Sequence, residues 1–170
     1  MLKSVTIRGY IPADLEPCRA LWAELTQHHR DIYEDPSIGG KAPGLYFDRH
    51  LARVGADHIW IAECEGKLLG LVGLIVEDRE AEVEPIVVAS GYRGRSIGQA
   101  LLEHMVLEAE KLGVRFLNVR PAARNAEAIA FFNTAGFRLL GRVELCMELH
   151  PSPHGAWKSG LELFGHSFDY

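Results

Sequence analysis

The chain has 170 residues, 48% of them hydrophobic and 24% charged, with a formal net charge of −5. That length suits one domain with a substantial core, and the apolar fraction excludes a disordered chain. The glycines and prolines are scattered and no heptad persists, so collagen-like and coiled-coil architectures are excluded too. The acidic balance argues against generic binding to nucleic acid or an anionic membrane and leaves small or cationic partners.

Cys18, Cys64 and Cys146 are odd in number and widely spaced, with no C-x-x-C, which predicts buried reduced thiols rather than a disulfide framework or a thiolate zinc site. The histidines are dispersed apart from the adjacent His28 and His29, so no metal is expected. The amino terminus carries no signal-peptide apolar region. The longest apolar stretch, Leu68 to Val76, falls well short of the roughly 20 residues a membrane span needs. A soluble, cytoplasmic protein is expected.

In chain order, Val5 to Tyr10 is predicted as a strand. Asp14 follows as a cap for a helix whose apolar residues Leu15, Cys18, Leu21, Trp22 and Leu25 recur at helical spacing, ending between His29 and Tyr33. Pro17 lies in its first turn, where a missing N–H is tolerated. Glu34 to Gly44 is a loop and Tyr46 to Val54 a second helix. His58 to Cys64 and Lys67 to Val76 read as strands joined by a hairpin at Glu65-Gly66, and Glu82 to Ala89 as a third strand of the same meander. A helix over Ile97 to Leu112 ends at Gly113. Arg115 to Val119 is a strand, Ala126 to Thr134 a helix, and Phe137 to Leu149 a long strand softened at Gly141. Pro151 to Gly155 turns the chain into a last strand, Gly160 to Phe168. The order is β-α-α-β-β-β-α-β-α-β-β, and only residues 82 to 119 call for a parallel crossover.

The chemistry concentrates in Val87-Val-Ala-Ser-Gly-Tyr-Arg-Gly-Arg-Ser-Ile-Gly98, where a strand enters a glycine-containing turn that opens a helix. The first N–H groups of a helix lack intrahelical partners and sit at the positive end of its dipole, so such a turn suits an anion such as pyrophosphate. Arg93 and Arg95 add charge, and Gly94 and Gly98 permit close approach. A plain tight turn is the competing reading. Neither the Walker nor the Rossmann glycine spacing is present.

Arg93-Gly-Arg-Ser-Ile-Gly98 resembles the R/Q-x-x-G-x-G/A signature of the GNAT superfamily of acetyl-CoA-dependent N-acetyltransferases. The segment from Arg124 through Asn125 and Phe132 to Gly136-Phe137 resembles its downstream block. The resemblance implies an α/β (α+β) domain spanning residues 1–170. Its sheet would be mixed and mostly antiparallel, with six or seven strands, about four flanking helices, and strands splayed at the cofactor site. It further implies that Ile86, Val87 and Val88 hold the pantetheine arm and acetyl group of acetyl-CoA. Arg93, Gly94, Arg95, Ser96, Ile97, Gly98 and Gln99 would take the pyrophosphate, and Asn125 and Phe132 would line the cofactor arm. In that frame the Val88 N–H is the candidate oxyanion donor.

Several positions depart from the pattern or need weighing. Ser96 stands where a glycine is commonest. Phe132 stands where a tyrosine commonly protonates the leaving thiolate; phenylalanine has no proton to give, and the plain alternative is a core residue beside Phe131 and Phe137. Without it, water or Tyr92 must serve, or the thiolate leaves unassisted. Glu82 and Glu84 share one face of their strand by alternation and are the candidate general bases; the competing reading is a solvated acidic patch continuing Glu77 to Glu80. Pro85 cannot donate to a ladder, so a bulge is expected there. His29 and Tyr33, at the end of the first helix, are candidate acceptor contacts, against a plain helix-dipole role for the histidines.

The expected function is acetyl transfer from acetyl-CoA to a primary amine of a small molecule or peptide, in a ternary complex without metal. The acidic run near the acceptor side suggests a cationic acceptor. The alternatives are a non-catalytic acyl-CoA-binding or sensing module and a nucleotide-phosphate-binding domain. A homodimer through the last strands is a further expectation.

Overall fold

A computed structural model describes residues 4–150, 153–154 and 156–170. The chain divides into two compact units. One runs to Thr26 and resumes from Gly39 to Arg120; the other comprises Gln27–Ile38 and Pro121–Tyr170.

The first unit is built on a five-stranded sheet in sequential order: β1 (Thr6–Gly9), β2 (Ile59–Cys64), β3 (Lys67–Glu77), β4 (Glu80–Val88) and β5 (Phe116–Asn118). The first four strands are antiparallel; β4 and β5 are parallel, joined through helix α3 (Ile97–Lys111). That is the crossover expected over residues 82 to 119. The β2–β3 turn places Glu65 and Gly66 at φ 52° and 75°, the doubly left-handed turn that suits the twist of a two-residue hairpin. β4 begins at Glu80, two residues earlier than predicted, because Glu77 and Glu80 pair directly across the turn.

Helices cover both faces of this sheet. Cys18 and Leu21 of α1 (Leu15–Tyr33) and Phe47 of α2 (Tyr46–Val54) bury against Ile59, Ile61, Leu71 and Val87. The opposite face takes α3, whose Ile97, Leu101, Leu102, Met105 and Ala109 are buried. A Cβ on Gly70 would lie 3.1 Å from Leu101 Cδ1, so glycine there allows the close approach of helix and strand. Burial on both faces is why β3 reads as an uninterrupted apolar run rather than an alternating one.

Asp14 does not act forward on α1. Its carboxylate accepts from the Ile11 N–H behind it at 2.9 Å and takes a bidentate grip from Arg8 at 2.7 and 2.9 Å. Arg8 Nε also reaches Glu63 at 2.6 Å, which ties β1, β2 and the entry to α1 together.

The second unit holds the end of α1, helix α4 (Ala126–Thr134) and a hairpin of β6 (Ser159–Leu163) and β7 (His166–Asp169). Arg124 is its hub, donating to the carbonyls of Tyr170 at 2.9 Å and Ala156 at 2.6 Å, with its guanidinium 4.8 Å from the Tyr33 ring centroid.

The fold class is as expected, a mixed, mostly antiparallel sheet with four helices among the described residues, but several details differ. The sheet has five strands rather than six or seven, because β6 and β7 pair only with each other among the described residues. The last expected strand is in fact this hairpin, turned at Phe164-Gly165 with φ 52° and 75°. Phe137 to Leu149 forms no strand. Its alternating Val143, Leu145, Met147 and Leu149 are exposed, and alternation creates a strand-competent surface but supplies no ladder partner. Cys18 and Cys64 are buried, whereas Cys146, on this segment, is exposed. Three residues of the expected Pro151 to Gly155 turn lie outside the described residues. No helix among the described residues is long and apolar enough to cross a membrane.

Candidate active site

β4 organises the first unit's polar cluster through an irregularity. Val72 pairs with Ile86 and Leu74 with Val83, so β4 advances three residues while β3 advances two, and Glu84 and Pro85 together oppose Gly73. This is the bulge that Pro85 predicts. The additional residue resets the alternation. Glu82, opposite Ile75, therefore shares a face with Val87, opposite Leu71, and that face looks toward α2.

Glu82 is buried, and its carboxylate meets the Arg120 guanidinium at 2.8 Å. Desolvation pushes its ionisation above the ordinary carboxylate range; Arg120 works against this, and the neighbouring Glu84 charge adds to it. Glu84 is more open and lies 4.0 Å from Arg53 of α2. His50 of α2 is buried on the same side, and its Nε2 forms no hydrogen bond of good geometry. Burial holds its imidazole below the usual range, with the Glu84 charge opposing that shift. The His50 ring packs tilted against Trp22, with ring centroids 5.1 Å apart.

Beyond Glu82 and Asn118 the pairing of β4 with β5 stops, while β4 continues to Val88. Ala89 N–H donates to Leu69 O at 2.8 Å, so by antiparallel alternation Val87 also faces β3, and the main-chain groups of Ile86 and Val88 turn the other way, toward the open edge. Val88 O, on that side, accepts from Arg93 Nε at 3.2 Å.

The turn after β4 bends through Ser90–Tyr92, passes Gly94 at φ 71° and reaches Ser96 at φ 61°, where α3 begins. Ser96 makes no side-chain capping bond, which leaves the N–H groups of Ile97, Gly98 and Gln99 without a side-chain cap. Gln99 directs its own side chain to Glu103 at 2.9 Å. Tyr92 is approached by Lys67 Nζ, 4.9 Å from the ring centroid, and by Arg95 at 5.4 Å. Lys67 also donates to the Tyr92 hydroxyl at 3.0 Å. Arg93 and Arg95 thus lie on the turn that leads into the uncapped helix start, and Lys67 packs against its Tyr92. A groove of about 450 Å³ opens between α1, the β2–β3 turn and Ala89–Tyr92, where Glu24 accepts from Ser90 N–H at 3.0 Å.

The left-handed conformation at Ser96 explains why glycine suits this position. Relieving the steric cost of an L-residue there, less glycine's entropic cost, should make Ser96→Gly more stable by about 0.5–1 kcal/mol. A shift of the denaturation midpoint to higher denaturant at unchanged slope would register this.

The remaining expected site residues lie in the second unit. Asn125 Oδ1 accepts from Ala128 N–H at 3.1 Å and caps α4. Phe132 is buried, its ring centroid 5.2 Å from that of Phe131 and 5.6 Å from that of Phe137. Burial, followed by the neighbouring His28 charge, pushes His29 down, and Tyr33 receives Arg124 on its ring. Sequence reasoning missed His50, Arg53, Lys67 and Arg120. His50 carried a usable signal, since it falls between Phe47 and Val54 on the apolar stripe of α2, where a polar residue is out of place. Among the described residues no group of three or more histidine, cysteine or acidic side chains could hold a metal ion.

Against known proteins, the profile of the acetyltransferase (GNAT) family matches residues 21–137. The N-alpha-acetyltransferase RimI of Mycobacterium tuberculosis is 33% identical over 141 residues, covering 81% of this chain and 80% of that protein. An uncharacterized N-acetyltransferase of Methanocaldococcus jannaschii is 28% identical over 144 residues; the match covers 81% of this chain but only 62% of that relative. Among solved structures, the ribosomal-protein-S18-alanine N-acetyltransferase of Escherichia coli superposes with a TM-score of 0.64 at 23% identity, covering 89% of this chain and 87% of that one.

Proposed function

This chain belongs to the acetyltransferase (GNAT) family, and on that premise we propose that it transfers the acetyl group of acetyl-CoA to a primary amine by direct attack in a ternary complex, as a cytoplasmic enzyme acting through a single domain of residues 1–170. The observation that carries this reading is the open edge of β4 beside an uncapped, arginine-flanked start of α3. An extended polar arm with an anionic end fits such a surface. Main-chain groups take the arm and helix N–H groups take the phosphates.

Bound acetyl-CoA supplies the thioester. In the proposed arrangement the main-chain groups of Ile86 and Val88 align the pantetheine arm, while Val87, expected to join them, is turned to β3 and holds the strand in place; Arg93 to Gln99 hold the pyrophosphate, and Asn125 and Phe132 line the arm. The Val88 N–H faces the acetyl oxygen, where negative charge develops during attack. Glu82 or Glu84 accepts the proton that the acceptor ammonium must lose before its nitrogen is nucleophilic. The neutral nitrogen adds to the thioester carbon, and the resulting oxyanion collapses with cleavage of the carbon–sulfur bond while the nitrogen loses its second proton to water or to the departing thiolate. Phe132 contributes no proton, so the sulfur leaves as a thiolate, with an ordinary pKa of about 8.5, or is protonated by water or Tyr92. His29 and Tyr33 are proposed acceptor contacts. Relatives named for N-alpha and alanine N-acetylation support a peptide or protein amino terminus as the acceptor class.

The test is release of free CoA when the chain is incubated with acetyl-CoA and a panel of amines that includes short peptides. Amine-dependent release with matching acetylated product is expected. Acetyl-CoA binding without turnover on any amine would support the acyl-CoA-binding module instead. Tighter binding of ATP than of CoA would remove the acyl-transfer reading.

A further inference from the structure

Each candidate base of the site has a guanidinium beside it. Glu82 is buried beneath Arg120, whose side chain is 65% exposed, and Glu84 lies beside Arg53, whose side chain is 56% exposed. Glu80 receives the Asn118 amide at 3.1 Å. Of the charges that act on Glu82, Glu77 and Glu84 are negative and Arg120 and Arg53 positive, while burial holds the His50 imidazole below its usual range. An approaching ligand therefore meets guanidinium groups in front of the innermost carboxylate.

From this arrangement we infer that the acceptor amine carries its own carboxylate, held by Arg53 and Arg120. The inference rests on the acyl-transfer reading above and narrows its substrate class. A purely cationic acceptor reaches Glu82 only by displacing Arg120, and it meets Arg53 as a like charge beside Glu84. An amine with a carboxylate nearby leaves the Glu82–Arg120 pair in place. A guanidinium has five N–H donors in a planar fork, and a single 2.8 Å contact to Glu82 leaves most of Arg120's donors for a second carboxylate. The amine is then delivered next to Glu84, the more open of the two candidate bases. The carboxylate can belong to a free α-amino acid or to an acidic side chain close to a peptide amino terminus.

The experiment measures CoA release by the full chain with matched acceptors: one short peptide with Asp, Asn or Lys at its second position, and free alanine against alaninamide. The Asp peptide should exceed the Asn peptide in kcat/KM by about tenfold or more, the ratio expected of one charge-assisted hydrogen bond, with the Lys peptide lowest. Preference for free alanine over alaninamide would identify the α-carboxylate as the group read; preference confined to the peptides would identify the side chain. Arg53→Gln, an exposed change that leaves Glu82 paired, should raise the KM for the Asp peptide and shrink the Asp-to-Asn ratio while the KM for acetyl-CoA stays the same. Arg120→Gln should do so more strongly. Equal or better turnover of the Lys peptide, or an Asp preference that survives both substitutions, overturns the inference and leaves acyl transfer standing. No amine-dependent release in any arm overturns both.

Discussion

Changing Glu82 and Glu84 together to glutamine is expected to slow acetyl transfer by about 10²–10⁴-fold, the range a positioned general base supplies. At neutral pH the acceptor is mostly ammonium, and transfer requires a group that takes its proton. A carboxylate is a better base the closer its ionisation lies to the working pH, and burial moves Glu82 in that direction. Glutamine keeps the shape and removes the basicity. Turnover unaffected in the double variant would sink the assignment, and the single variants divide the role between the two residues.

The same environment makes a stability prediction of opposite sign. Glu82 ionises above the ordinary 4.5 in the folded protein, so between 4.5 and the raised folded value the native state holds a proton that the unfolded chain has lost. Its contribution is fully present below 4.5 and is lost as pH rises through the folded value. Glutamine mimics the protonated side chain. Glu82→Gln should therefore melt higher than wild type at neutral pH, and the difference should vanish below about pH 4. A Glu82→Gln protein that is more stable and less active assigns the base to Glu82, and one that is more stable and fully active assigns it to Glu84.

Replacing Gly73 with alanine is expected to destabilise the protein by about 1–3 kcal/mol and to lower turnover at the same time. The new Cβ would lie 2.4 Å from the Glu84 carbonyl oxygen and 2.8 Å from His50 Nε2. The first of these is backbone within a sheet buried on both faces and cannot swing aside, so the bulge that presents Glu82 and Glu84 has to move. Gly9→Ala is the control, since a Cβ there meets nothing within 4 Å, and it should change stability by less than about 0.5 kcal/mol. Denaturation midpoints for the two variants, read with their CoA-release rates, check both halves. A Gly73→Ala protein as stable and active as wild type would refute the packing described here.

Much of the framework was legible from local pattern. The strand-turn-helix over residues 82–112, the Glu65-Gly66 hairpin, α2, α4 and the bulge at Pro85 all follow from periodicity and from residues with one dominant backbone habit. Other features were not. Phe164-Gly165 has the same conformation as Glu65-Gly66, but it sits in a stretch whose apolar residues suggested continuity, and so a hairpin read as one strand. Phe137 to Leu149 has the alternation of a strand and no ladder among the described residues. Alternation records which side chains prefer one side, whereas a strand also needs a neighbour at the right register.

The opening numbers suggested a cation-seeking surface, because composition counts charges without saying which are paired. The run from Glu77 to Glu84 is acidic in sequence, yet Arg53 and Arg120, 31 and 36 residues away from Glu84 along the chain, come to it only when α2 and the end of β5 pack beside β4. The sequence by itself determined the sheet-and-helix framework, the turn that opens α3 and the family, all carried by short-range spacing. The tertiary structure alone decided that Glu82 is buried and paired, that His50 lies behind the bulge, and that guanidinium groups front the carboxylates. Burial and charge pairing depend on which distant segments meet, and no local pattern encodes that meeting.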